Sequence, residues 1–517
     1  MKGLEFHKQV PKNLLLNILS FISTIVIGIW LTPYLLKHLG IIAYGFIPLA
    51  MFFSQYISVI INSINTSINR FLVLSLQKED YLEANKIFTT SFIILCFFIF
   101  LQVIFMIIVL FDINLFFKIP KYLLDDVVWL FGLTFVGFSI SLLRGIFGTS
   151  LFAYNRLDIL RVIDIIQNIT RILIIVILFF FETPSLKYIG IANLLASLIA
   201  IIPTLYYFRK YTPQIEIKLF YFEKSKVKEL FEMSQWVLIN QVGVLLIGNI
   251  DLYMVNFLLG TKEMGEYAII LQVIILFKTL STLLLGVISP IVIYYYANKS
   301  YEKLKTIILL SSKLITIVMM TLVLFVIFFS QILLKFWLGD MFVYLYPLLS
   351  FSLLFLIFSI PAISLFQINV VYNRVKLPAI LTLILGILNI IGVYILLSYT
   401  QMGLWGVVIA KLVYEFIFNV IFMPLYGASI LKISKWYFFD IFIFLILSLA
   451  FLSLSLFLGD MIYSPQSFWQ LFIFGIVYFI FSIVFQLFIF LSKIERDFLF
   501  EKYIIKIDKL LKRDNHE

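Results

Sequence analysis

Charge is scarce in this sequence. Only 13% of its 517 residues are Asp, Glu, Lys or Arg, about half the share of a soluble domain. A chain that is also 63% hydrophobic cannot supply the polar surface of a water-soluble enzyme. At about 20 apolar residues per spanning helix, little length is left for a soluble domain. Cysteine is nearly absent. The single Cys96 lies in the apolar run SFIILCFFIF, which excludes an intrachain disulfide and a cysteine metal cluster. The three histidines, His7, His38 and His516, fall outside the apolar runs, so no imidazole base or metal triad lies inside the membrane. There is no P-loop spacing and no ATPase domain. Any energy source must therefore be an ion gradient or the substrate's own gradient. No small-residue cleavage site follows the first apolar run, which reads as a retained signal-anchor with the mature chain beginning near Met1.

What the chain has in abundance is spanning length. Apolar runs predict helices at roughly 13–35, 44–66, 87–111, 123–143, 159–181 and 188–208, and again at roughly 233–258, 267–293, 304–329, 343–370, 377–398, 403–424, 437–458 and 468–491. The total is fourteen, an all-α polytopic membrane protein. The runs are continuous and about twice the length of barrel strands, which argues against a β-barrel. Interior prolines at 33, 203, 290 and 361 mark possible kinks.

The bases set the orientation. With the N-terminus inside, 29 of the 39 Lys and Arg fall in cytoplasmic segments, six in outer loops and four (Arg171, Lys278, Lys313, Lys411) within spans. That asymmetry places both termini in the cytoplasm. It also accounts for most of the formal charge of +11 by topology, so nucleic acid is not needed as a partner.

An internal repeat sharpens the plan. LKHLGIIAYG (36–45) and NFLLGTKEMG (256–265) align at an offset of 220, pairing Gly40 with Gly260 and Gly45 with Gly265. The tripeptide Tyr154-Asn155-Arg156 recurs as Tyr372-Asn373-Arg374 at an offset of 218. Two six-helix units follow, parallel because six is even, with two further helices at the C-terminal end. The lobes are read as residues 1–215, 216–430 and 431–517. An interfacial linker (209–232) opens the second lobe and an amphipathic cytoplasmic tail (493–513) closes the chain. For both segments a solvated helix is the plainer alternative.

Polar side chains within spans are costly unless they face protein or water. The first span carries a stripe of Asn13, Asn17, Ser20, Thr24, Gly28 and Thr32, and the second one of Ser54, Ser58, Asn62, Asn65 and Asn69. Each stripe faces a neighbouring helix or a hydrated lumen. The 220 offset carries Ser20 to Asn240, Gly28 to Gly248 and Ser58 to Lys278. If the stripes line a lumen, Lys278 and Asp251 project into it. Arg161, Asp164 and Arg171 share a face of the fifth span. Lys411 and Glu415, four apart, are spaced to neutralise each other, and Lys313 is placed to snorkel to the inner surface. The substrate-binding candidates are thus Lys278, Arg171, Lys313, Lys411, Asn240, Asn62 and Asn65, and the coupling or charge-pair candidates are Asp251, Asp164 and Glu415. Excess cationic side chains suit an amphiphile with an anionic head, such as a diphosphate.

The corner TPYLLKHLGIIAYG, the stretch NIDLYMVNFLLGTKEMGEYAIIL and the recurring YNR resemble the bacterial oligosaccharide and polysaccharide flippases, including the Wzx-type O-antigen exporters. Their superfamily also contains the multidrug exporters and the peptidoglycan-precursor flippases. The resemblance runs over essentially the whole chain, with Gly40, Gly45, Gly260 and Gly265 matching structural corners and Asp251 an acidic position. It implies movement of an undecaprenyl-diphosphate-linked oligosaccharide from the inner to the outer leaflet by alternating access, in the bacterial cytoplasmic (inner) membrane. It further implies a role in making O-antigen, lipopolysaccharide, capsule or a related glycan, with a glycan polymerase and chain-length proteins as further partners. No cofactor is implied; a coupling ion would be a proton or sodium. The peptidoglycan-precursor flippases carry lumen arginines on their first two helices, whereas here the first span has none and Arg70 lies at the inner end of the second. That departure favours a surface glycan. The alternative reading is a cation-coupled small-molecule exporter, with Asp251, Asp164 or Glu415 as coupling acid. A membrane glycan polymerase or acyltransferase ranks last, because histidines and large outer loops are missing.

Overall fold

A computed structural model describes residues 3–497 except 249 and 494. Among the described residues there is no β-strand, as expected where only an α-helix satisfies its own backbone in lipid. The long helices are α1 (Gly3–Gln77), α2 (Tyr81–Phe111), α3 (Leu124–Ala153), α4 (Leu157–Phe181), α5 (Leu186–Tyr211), α6 (Lys224–Gly248), α7 (Ile250–Leu258) and α8 (Thr261–Ala297). They continue as α9 (Tyr301–Phe328), α10 (Ser330–Leu338), α11 (Tyr346–Ser359), α12 (Phe366–Val371), α13 (Lys376–Tyr399), α14 (Leu404–Glu415), α15 (Met423–Leu431), α16 (Asp440–Ile462) and α17 (Phe468–Ile489).

Thirteen helical stretches among the described residues are long and apolar enough to cross a membrane, making this a multi-pass membrane protein. The first of them, Leu15–Tyr56, is 42 residues long. It is broken at Gly40, whose φ of 77° and ψ of 168° are not helical. Two predicted spans therefore run together in α1, which is why thirteen stretches answer to fourteen predicted spans. Pro203 and Pro290 sit inside the continuous helices α5 and α8. Pro361 instead falls in the break between α11 and α12, where its carbonyl accepts a hydrogen bond from the Ser312 hydroxyl of α9. A π-helical turn, Phe416–Phe422, separates α14 from α15.

The repeat is visible in the backbone. Gly40 and Gly260, Glu79 and Lys299, and Asn155 and Asn373 all adopt positive φ. At the third pair the hydrogen bonds also match: Arg156 N–H donates to the Leu151 carbonyl and Arg374 N–H to that of Asn369, both at 2.7 Å. Each is a left-handed C-cap in which asparagine replaces the usual glycine.

The chain packs as two compact units, one of Met1–Ile269 with Lys376–Val407, the other of Ile270–Val375 with Val408–Glu517. In the first, α3 packs along α5 and α6 along α13. Gly243 of α6 and Gly386 of α13 allow a backbone approach that side chains would block: a Cβ on Gly243 would lie 2.7 Å from the Leu383 nitrogen. In the second, α9 is the buried centre, flanked by α11, α16 and α17.

The predicted linker is not one helix. After Tyr211 the chain runs extended, makes a short turn at Leu219–Tyr221 and enters α6 at Lys224. It is strapped to the start of α2: Asn85 accepts from the Glu216 N–H at 2.8 Å, Thr90 accepts from the Glu223 N–H at 3.1 Å, and Lys86 pairs with Glu223 at 2.8 Å. Glu223 is partly exposed there, and the Lys86 hydrogen bond holds its carboxyl below the usual range. Of the predicted C-terminal tail helix, residues beyond 497 lie outside the described residues.

Candidate functional site

The first polar stripe meets the start of α4. Asn13 donates to the Asn155 carbonyl at 3.1 Å and accepts from the Asp158 N–H at 2.9 Å, while Lys12 pairs with the buried Asp158 carboxylate at 2.9 Å. Asn17 accepts from Arg161, and Asp164 is shared between Arg161 at 3.0 Å and Arg144 at 2.9 Å. The left-handed turn at Asn155 thus presents a charged helix start to α1, and Asp164 is a member of an ion-pair cluster.

Two turns further along α4, Arg171 borders a cavity of about 150 Å³ walled by α1, α3, α4 and α5. Its Nε is buried and has no hydrogen-bond partner among the described residues. The rest of the wall is knitted together: Asn193 donates to Thr134 at 3.2 Å, Ser141 and Ser197 share a hydrogen bond of 3.1 Å, and Gln167 donates to Ser197 at 3.4 Å. Among the described residues, Arg171 is the only charged one lining this cavity. Sequence reading found the arginine but missed this chamber, whose polar residues are scattered singly over several spans.

Asp251, at the first turn of α7, is completely buried. It accepts from the Asn389 amide at 3.2 Å and from the Tyr267 hydroxyl at 3.4 Å. The close α6–α13 crossing brings Asn389 there, from 138 residues away. Asn240 is half-buried on α6, and the side chains of Asn62 and Asn65 lie outside the described residues.

In the second unit, Glu415 ends α14 immediately before the π-helical turn. Its carboxylate accepts from Asn419 at 2.5 Å and from Ser359, and lies within electrostatic range of both Lys278 and Lys411. Two lysines therefore gather about the carboxylate of Glu415. The i, i+4 pairing of Lys411 with Glu415 was readable from spacing; the arrival of Lys278, and the roles of Asn419 and Ser359, were not. Lys313 turns to the chain beyond α17 and pairs with Glu495 at 2.6 Å, both nearly buried. The structure thus brings Lys278, Lys411 and Glu415 together and places Arg171, Asp251 and Asp164 at three separate points of the first unit.

The corner glycines are structural. Gly40 and Gly260 supply the positive-φ turns, and Gly45 and Gly265 touch each other.

Residues 10–295 match the family described as polysaccharide biosynthesis protein, more than half of the chain. The chain belongs to this family. A relative of this polysaccharide biosynthesis family member is the uncharacterized membrane protein EpsK of Bacillus subtilis (strain 168), 29% identical over 426 residues that cover 82% of this chain and 84% of EpsK. Its fold is also that of solved transporters. An inward-facing multidrug resistance MATE family transporter of the MOP superfamily aligns with a TM-score of 0.65 at 15% identity, over 80% of this chain and 96% of its own. The lipid II flippase MurJ, in an inward closed conformation, aligns at 0.61 and 17% identity over 94% of this chain and all of its own. This polysaccharide biosynthesis family member thus shares the fold of those two solved proteins.

Proposed function

We propose that this protein translocates an undecaprenyl-diphosphate-linked oligosaccharide from the cytoplasmic to the outer leaflet by alternating access, supplying a surface polysaccharide such as O-antigen, capsule or a related glycan. The observation that carries this reading is the pair of lysines, Lys278 and Lys411, sharing the single carboxylate of Glu415 within membrane-spanning helices. Cationic side chains gathered within the membrane can bind an arriving diphosphate by charge-assisted hydrogen bonds. The prenyl tail stays in lipid while the head crosses within protein. On this reading the protein sits in the bacterial cytoplasmic membrane with both termini inside, and hands its product to a glycan polymerase and chain-length proteins.

A second observation bears on energy. Asp251, fully buried between Asn389 and Tyr267, is suited to take a coupling proton or sodium ion. It also keeps the alternative of a cation-coupled small-molecule exporter open to test. Lys278→Gln, introduced into cells lacking the wild-type chain, is expected to impair glycan export while membrane abundance is unchanged. Normal export by that variant removes Lys278 from the site.

A further inference from the structure

The Arg171 chamber lies wholly within the first unit and is separate from the lysine cluster of the second. A guanidinium at this depth needs a counter-charge, because removing it from water costs several kcal/mol unless it is paired and its donors are satisfied. Along α4 the neighbouring carboxylate, Asp164, is already engaged by Arg144 and Arg161. Among the described residues no carboxylate lines the chamber and the buried Nε of Arg171 has no partner.

The walls are suited to an anion of particular shape. The hydroxyl of Thr134 and the amides of Gln167, Asn168 and Asn193 come from three helices, so donors approach from several directions. A planar carboxylate uses two parallel donors of the guanidinium fork; a tetrahedral oxyanion uses the fork and the surrounding hydroxyls and amides as well. The cavity of about 150 Å³ equals roughly five water volumes at about 30 Å³ each. That is room for a phosphoryl group with a few waters.

We propose that the Arg171 chamber is a second anion site, specific for a phosphoryl group. The inference deepens the flippase reading and rests on it for one possible source of that group, the diphosphate of the lipid carrier; free phosphate is the other source.

The test uses the full-length chain in phosphatidylcholine nanodiscs, followed by thermal unfolding at constant ionic strength. Ligands are sodium pyrophosphate, geranylgeranyl diphosphate, or chloride alone. The Lys278→Gln protein serves as background, so that Lys278 does not contribute. Saturable stabilisation by either diphosphate in that background, weakened about tenfold or more by adding Arg171→Gln, supports the site. A response to pyrophosphate assigns access to free phosphate; a response to the prenyl compound alone assigns the lipid head. Arg171→Lys keeps the charge without the fork and is expected to recover part of the affinity. Without ligand, Arg171→Gln is expected to be at least as stable as its parent, since a charge whose buried Nε has no partner among the described residues has been removed.

Equal stabilisation by chloride overturns the proposal, as does an Arg171→Gln protein that binds like its parent or is less stable without ligand. Diphosphate binding by wild type that vanishes in Lys278→Gln overturns it while leaving the flippase reading standing. No diphosphate binding by wild type removes both.

Discussion

Gly45 and Gly265, equivalent positions of the internal repeat, lie backbone against backbone. A Cβ on Gly45 would fall 2.9 Å from the Gly265 nitrogen, and one on Gly265 would collide with the Ile41 carbonyl. A repeat whose equivalent residues touch has a local two-fold relation at that point, and only glycine permits the approach. Gly265→Ala is expected to force the two helix starts apart and cost about 1–3 kcal/mol, as overpacking does. Gly40→Ala meets open space but is strained by its φ of 77°, at about 1 kcal/mol. Thermal unfolding of both variants in one detergent gives the order; an unaffected Gly265→Ala would contradict it.

Glu415 holds two lysines in place. Glu415→Gln is expected to lower membrane abundance and stability by about 1–2 kcal/mol, because it removes the carboxylate that two lysines face within the membrane. Adding Lys411→Met restores the net charge of the cluster and is expected to recover most of that loss. Failure of the double variant to recover would show that Glu415 acts through Asn419 and Ser359 rather than through charge.

Glu495 links the chain beyond α17 to Lys313 of α9. Burial raises its carboxyl pKa, but the Lys313 hydrogen bond and the Ser492 N–H outweigh this and hold it below the ordinary value. A depressed carboxylate contributes stability above its unfolded pKa of about 4.3 that is lost as pH falls through the folded value. Glu495→Gln is therefore expected to be less stable than wild type at about pH 7 by about 2 kcal/mol, with the difference closing below about pH 4. A pH-independent difference would assign the effect to packing.

Asp251→Asn keeps the shape and the Asn389 contact region while removing the titratable group. Transport by this variant is expected to lose its dependence on pH or on sodium, whichever the wild type shows, with abundance unchanged. Retained dependence moves coupling to another residue.

The helices, their number and the repeat were legible because lipid demands continuous apolar runs and leaves turns as the only polar punctuation. Asn155 and Asn373 are an example: a shared tripeptide proved to be a shared left-handed cap. Lys411 with Glu415 was legible because four residues is one helical turn. Asp251 with Asn389, Lys313 with Glu495 and Lys278 with Glu415 were not, since each depends on which helices pack, and apolar helices share too little pattern to reveal their neighbours. The Arg171 chamber was hidden for the same reason.

The most direct test of the account is the leaflet distribution of the lipid-linked oligosaccharide in cells depleted of this protein, with the wild-type chain restored as control. The account predicts accumulation of the intermediate on the cytoplasmic face, relieved by restoration. An unchanged distribution in cells with no redundant exporter would contradict it.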